Sequence, residues 1–149
     1  MLTTVHSGTT AGVYTRLVNL GVEPYMVSSS ITGILAQRLA RKICPHCRVQ
    51  YSPSDNLLKQ LPDAGIFRGF AFEKGKGCDS CCMTGYAGRT GIFELLSVDD
   101  EIRELMLSKQ SAGRIREAAS RKGMQTLLDD GIRKVLGKVT TLEELFRVI

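Results

Sequence analysis

The sequence predicts an α/β fold with a loop-rich, cysteine-bearing insertion between two strands and a bundle of about four helices at its C-terminal end. Three observations carry this expectation. β-branched or alternating apolar segments stand at residues 2–5, 34–43 and 90–96, and all five cysteines fall between residues 44 and 82. From residue 99 onward, apolar residues recur at helical spacing behind Asp, Ser and Thr caps.

Composition sets the bounds. A chain of 149 residues, 43% of them hydrophobic, can bury one core and carry a small satellite module. No apolar run approaches the ~20 residues that cross a bilayer, and no signal-peptide pattern opens the chain, so a cytoplasmic location is expected. Cysteines in that compartment read as metal ligands or buried thiols, not disulfides. The net charge of +5 suits an anionic partner without requiring one.

Residues 2–5 (Leu-Thr-Thr-Val) read as a strand. A helix follows, capped by Thr9 or Thr10, with Val13, Leu17 and Leu20 on one face and Gly21 to end it. Pro24 suits the first turn of a short second helix. Residues 34–43 are ambiguous: Leu35, Leu39 and Ile43 fit a helical period, while the alternation of Leu39 and Arg41 fits an edge strand. Between residues 44 and 89 the prolines, glycines and cysteines leave too little apolar content for a separate core, so this module needs a staple. Residues 90–96 (TGIFELL) return as a strand. The helices after it start at Asp99 or Asp100, at Ser111, at Thr126 with Asp129, and at Thr140 with Glu143, which together fit a capping box. Gly123 and Gly137 are the expected stops of the second and third. The domain division expected is 1–43, 44–89 and 90–149.

The staple is legible in the cysteines. Cys44-Pro-His-Cys47 and Cys78-Asp-Ser-Cys81 are two C-x2-C knuckles separated by thirty residues. Zinc accepts four thiolates in a tetrahedron, and two tight turns supply two sulfurs each. Cys44, Cys47, Cys78 and Cys81 are therefore the expected ligands of one structural Zn2+. The spacer is longer than in a common zinc ribbon, but a longer loop costs little closure entropy. A redox dithiol at one knuckle is the competing reading. Cys82 is set aside because neighbouring side chains point in different directions, and His46 is expected to face solvent.

No catalytic constellation stands out. Gly75-Lys76 and Gly137-Lys138 are not followed by Ser or Thr, so the sequence carries no Walker A loop. His6 stands between an expected strand and a helix, where α/β folds place ligand-contacting residues.

Read together, three segments carry a resemblance. Residues 3–47, from TTVHSGTTAG to RKICPHC, resemble the region from the "His box" to the first cysteine pair of the type II secretion ATPases (general secretory pathway protein E) and type IV pilus assembly ATPases. Residues 78–96 (CDSCCMTGYAGRTGIFELL) look like that family's second pair and the strand after it, and residues 123–149 are similar to its C-terminal helices. The resemblance implies a partial RecA-like sheet, with the chain a C-terminal fragment of a longer ATPase. It implies that His6 contacts the ATP γ-phosphate in an assembled homohexamer, with Arg38 a weaker candidate for nucleotide or neighbouring-subunit contact. ATP and Mg2+ would belong to the full-length protein only, and this fragment would not hydrolyse ATP alone. The parent would act in the cytoplasm at the inner membrane, with its platform protein and other secretion or pilus proteins, to power pilin or pseudopilin assembly. Where the family's His box continues with Asn and Asp, this chain has Gly8 and Thr9. Cys82 takes the place of a residue that is commonly Gly.

Two further readings compete. A zinc-ribbon-like nucleic-acid module would use the collar of Arg41, Lys42, Arg48, Lys74, Lys76 and Arg89, but the chain offers few aromatics for stacking. A docking surface would use Phe67, Phe70 and Phe72, for which packing beneath the loop is the alternative.

Overall fold

The computed structural model describes residues 2–149 and forms two compact units. Residues up to Ala36 with Phe93–Thr126 make the first; Gln37–Ile92 with Leu127–Ile149 make the second. Two strands, β1 (Gly33–Ile43) and β4 (Tyr86–Ser97), pair with each other and contribute to both. Their sense is antiparallel: Val98 N–H donates to Thr32 C=O at 3.0 Å at one end, and Cys44 N–H to Gly85 C=O at 2.9 Å at the other.

The first unit packs four helices around its strand segments. α1 (Thr10–Asn19) starts at Thr9, whose side chain accepts from Gly12 N–H at 3.1 Å. α2 (Pro24–Ser30) follows, with its proline in the first turn, then α4 (Asp100–Leu107) capped by Asp99 and α5 (Ala112–Arg121) capped by Ser111. α1 packs on α2 and α5, α2 on α4, and α4 on α5. Tyr14, Val27, Leu96, Ile102, Met106 and Ile115 fill the core, each full burial contributing about 1.5–3 kcal/mol. The Tyr14 hydroxyl donates to the Met106 carbonyl, which satisfies its one polar atom.

The second unit carries β2 (Arg48–Gln50) and β3 (Glu73–Gly75), an antiparallel pair with Val49 opposite Lys74. Short α3 (Asp55–Leu58) lies between them in sequence, and α6 (Leu127–Leu136) and α7 (Leu142–Val148) pack on each other. Gly131 lets α6 approach α7 closely: a Cβ there would stand 2.1 Å from Leu145 Cδ1. Phe67, Phe70 and Phe72 meet in tilted and edge-on pairs with centroids 5.0–5.6 Å apart, Phe67 and Phe72 buried, so these rings pack beneath the loop.

Several expectations are corrected. Residues 2–5 form no strand, and Leu2 is fully exposed. β-branched composition favours an extended chain, but a strand exists only where a neighbour takes its N–H and C=O groups. The ambiguous 34–43 segment is β1, with Ile34, Ala40 and Ile43 buried and Leu35 and Leu39 exposed. The four C-terminal helices do not form one bundle, since α4 and α5 pack with α1 and α2, while α6 and α7 belong to the second unit.

Two helix-end assignments shift by one residue. α6 is closed by Lys138 (φ +55°), not Gly137: Lys138 N–H donates to Val135 C=O and Val139 N–H to Lys134 C=O, the Schellman pattern. The cap of α7 is Thr141, whose side chain accepts from Glu144 N–H at 3.2 Å. Thr140 is drawn instead to β1, where its hydroxyl donates to Arg41 C=O at 2.8 Å.

Candidate metal centre

The strands bring the two knuckles together. Cys44 directly follows β1 and Cys47 directly precedes β2; Cys78 and Cys81 lie between β3 and β4, with Cys81 closing a short 3-10 turn at Asp79–Cys81. The four sulfurs lie within 4.8 Å of one another, and Cys44, Cys47 and Cys81 are buried. Measured pairs are 3.9 Å (Cys44–Cys78), 3.9 Å (Cys47–Cys81) and 3.7 Å (Cys78–Cys81). Four thiolates about 2.3 Å from a tetrahedral ion stand roughly 3.8 Å apart. The sulfurs therefore already hold the spacing of a four-thiolate metal site, and all four cysteines are free of disulfides. They are positioned to bind a metal ion.

Backbone N–H groups support the sulfurs. Cys78 N–H and Gly85 N–H each reach Cys81 Sγ at 3.3 Å. Burial pushes the Cys81 thiol up, but these donors outweigh it and bring it down to about 6. Burial pushes Cys47 up to about 11 and raises Cys78 as well. A bound cation reverses that penalty by taking the charge of the thiolates.

Gly85 holds the centre from both sides. Its C=O accepts from Cys44 N–H while its N–H donates to Cys81, so one residue links the two knuckles. It sits at φ +76° against Gly75, where an added Cβ would lie 2.4 Å from the Gly75 carbonyl oxygen. A Cβ on Gly75 would lie 2.0 Å from the Gly85 oxygen. Sequence reading missed this contact, because GKG and TGY are adjacent only once β3 is paired; the dense glycines were its one trace.

The residues set aside are placed accordingly. Cys82 and His46 are exposed, and Cys82 lies outside the four-sulfur cluster in a left-handed conformation (φ +48°). Of the basic collar, Arg41 and Arg48 are engaged with Glu144 and Glu73, and Lys74 lies over the Tyr51 ring. His6 is exposed on the segment before α1, in the first unit. Arg38 is half-buried on β1 in the second, its Nη1 donating to Gln37 C=O at 2.9 Å. Among the described residues no helix is long and apolar enough to cross a membrane.

Beside the cysteines lies a second polar centre. Glu144 has no exposed side-chain surface and accepts from Arg41 N–H at 2.9 Å, from the Arg41 guanidinium at 2.7 and 3.0 Å, and from Arg147 at 2.6 and 2.7 Å. Burial pushes its carboxyl up, yet the donors of Arg147 and Arg41 hold it down at about 2. The Arg41 guanidinium also lies 4.3 Å above the Tyr86 ring.

Fold and site together define a mixed α/β chain whose four clustered cysteines are positioned to bind a metal ion. The family model of the Type II/IV secretion system protein matches residues 1–147, and the chain belongs to that family. Among its relatives, the type IV pilus assembly ATPase PilB of Thermus thermophilus is 46% identical over 147 residues, 97% of this chain and 16% of the relative. The type II secretion system protein HxcR of Pseudomonas aeruginosa is 42% identical over 99% of this chain and 28% of its own length. The type II secretion system ATPase E of Vibrio cholerae is 40% identical over 99% and 29%. The chain thus spans less than a third of the length of these relatives.

Proposed function

We propose that the chain serves as the C-terminal, metal-stapled part of a hexameric ATPase that powers pilin or pseudopilin assembly at the inner membrane. The observation that supports this best is the family match over nearly the whole chain. The metal is zinc, for which the four-thiolate set and the sulfur spacing speak, and its role is structural: four protein ligands leave no open position for chemistry. In the assembled enzyme His6 contacts the nucleotide γ-phosphate and Arg38 faces nucleotide or a neighbouring subunit. The 149 residues contain no Walker A loop, so the polypeptide by itself does not hydrolyse ATP.

The test is a chimera. Residues 2–149 replace the matching segment of the Vibrio cholerae ATPase E in one strain and of the Thermus thermophilus PilB in another. Restored secretion or restored piliation supports the reading and says which system the chain suits. A chimera that is expressed, folded and zinc-loaded yet restores neither counts against it.

A further inference from the structure

We propose that the metal centre is a latch for the C-terminal helix pair: α6 and α7 are fully docked on the strands of the second unit only while an ion ties the four cysteines together. This rests on the reading of those cysteines as a metal site. Residues 138–144, the loop between the helices with the first turn of α7, reach three strands of the unit and the residue just past the fourth. On β1, Ile43 N–H donates to Val139 C=O at 2.9 Å, and Arg41 is bound by Thr140 and Glu144. On β4, the Tyr86 hydroxyl meets Thr141 Oγ1 at 2.9 Å. Just past β2, the Tyr51 hydroxyl donates to Glu143, and on β3 Glu73 accepts from Lys138.

The cysteines sit at the ends of the same four strands, between one and five residues from them. Every anchor of the helix pair is thus a short step along the chain from a metal ligand. β2 and β3 are three residues each, too short to stand as an independent ribbon. Between the knuckles and β4, apart from the cysteines, only Leu61, Phe67 and Phe72 are buried apolar side chains. Without the ion β1 and β4 stay paired, but little else holds β2, β3 and the two knuckles in register, and the Tyr51 and Glu73 side of the receptor for residues 138–144 comes apart. The first unit has its own core of Tyr14, Leu96, Ile102, Met106 and Ile115, so metal loss leaves it folded.

Hydrogen exchange with mass-spectrometric readout tests this on the metal-loaded protein, after chelation, and after zinc is returned. The expected result is a joint loss of protection in residues 44–86 and 127–149, on the order of tenfold or more, with α1 and α5 unchanged and recovery on zinc return. Residues 127–149 that stay protected without metal overturn the latch, as does an equal loss through α1 and α5. A second variant loosens the latch from the helix side. Glu144→Gln is expected to bind one equivalent of zinc but several-fold more weakly in equilibrium competition with a chelator, since coupling between sites is reciprocal; unchanged zinc affinity overturns the proposal. Protein that neither carries zinc nor takes it up, with C78S behaving as wild type, sinks the metal reading itself, and metal analysis separates that outcome from failure of the latch.

Discussion

Glu144 on α7 accepts both the backbone N–H and the guanidinium of Arg41 on β1, so one carboxylate fixes a helix to a strand three residues before Cys44, the first of the four clustered cysteines. Because the carboxylate is fully buried while Arg41 and Arg147 are 44% and 54% exposed, the cost of breaking the cluster lies mostly in the stranded buried group. Arg41→Ala leaves that buried carboxylate with Arg147 as its one remaining guanidinium, and a destabilisation of about 2–3 kcal/mol is expected, whereas Glu144→Ala, which leaves only half-exposed arginines, should cost less. Urea unfolding of both variants beside the wild type checks it.

The same carboxyl sets an acid limit. Its folded pKa of about 2 lies below the ordinary 4.5, so its stabilisation is complete above pH 4.5 and is lost as pH falls toward 2. The wild-type urea midpoint should therefore fall through this window more steeply than that of Glu144→Gln. Parallel curves for the two proteins would show that Glu144 does not carry the effect. Thiolate protonation also releases metal at low pH, so the comparison is made between the variants at equal zinc occupancy.

Metal analysis should find one zinc per chain, and substitution of Cys44, Cys47, Cys78 or Cys81 by Ser should lower it. Cys82→Gly should leave zinc content intact and stabilise by up to about 1 kcal/mol, because Cys82 holds a left-handed backbone that glycine adopts without a Cβ penalty. Loss of zinc in Cys82→Gly would reassign the ligand set.

Gly85→Ala should prevent the knuckles from closing. Its Cβ would press on the Gly75 backbone, which has no flexible side chain to yield, and zinc content with a thermal unfolding scan reads the outcome. Gly131→Ala meets a side chain instead, the fully buried Leu145, and a milder loss of about 1–3 kcal/mol is expected.

Two lysines at helix ends make a matched pair. Lys109 (φ +54°) and Lys138 (φ +55°) both close helices in the left-handed region. Lys109→Gly should stabilise by about 1 kcal/mol. Lys138→Gly gains the same backbone relief but loses the ion pair to Glu73, so its gain should be smaller. Thermal midpoints of the two variants decide.

The sequence by itself determined which four cysteines come together, because two C-x2-C spacings in a glycine-rich, coreless stretch leave a four-thiolate cluster as the economical staple. It also determined the family, the starts of α1, α4 and α5, and the stops of α1 and α5, whose caps act within a few residues of chain. What lay beyond local chemistry was settled only by the tertiary structure. Residues 2–5 have strand composition, but no strand pairs with them. Thr140-Thr141-Leu142-Glu143-Glu144 offers two equivalent capping registers, and the choice fell to Thr141 and Glu144 because Arg41, about a hundred residues away in sequence, binds Thr140 and Glu144. Gly75 and Gly85 meet back to back only once β3 and the second knuckle are folded. Spacing along the chain names the four clustered cysteines; long-range pairing of strands and charges decides what holds them in place.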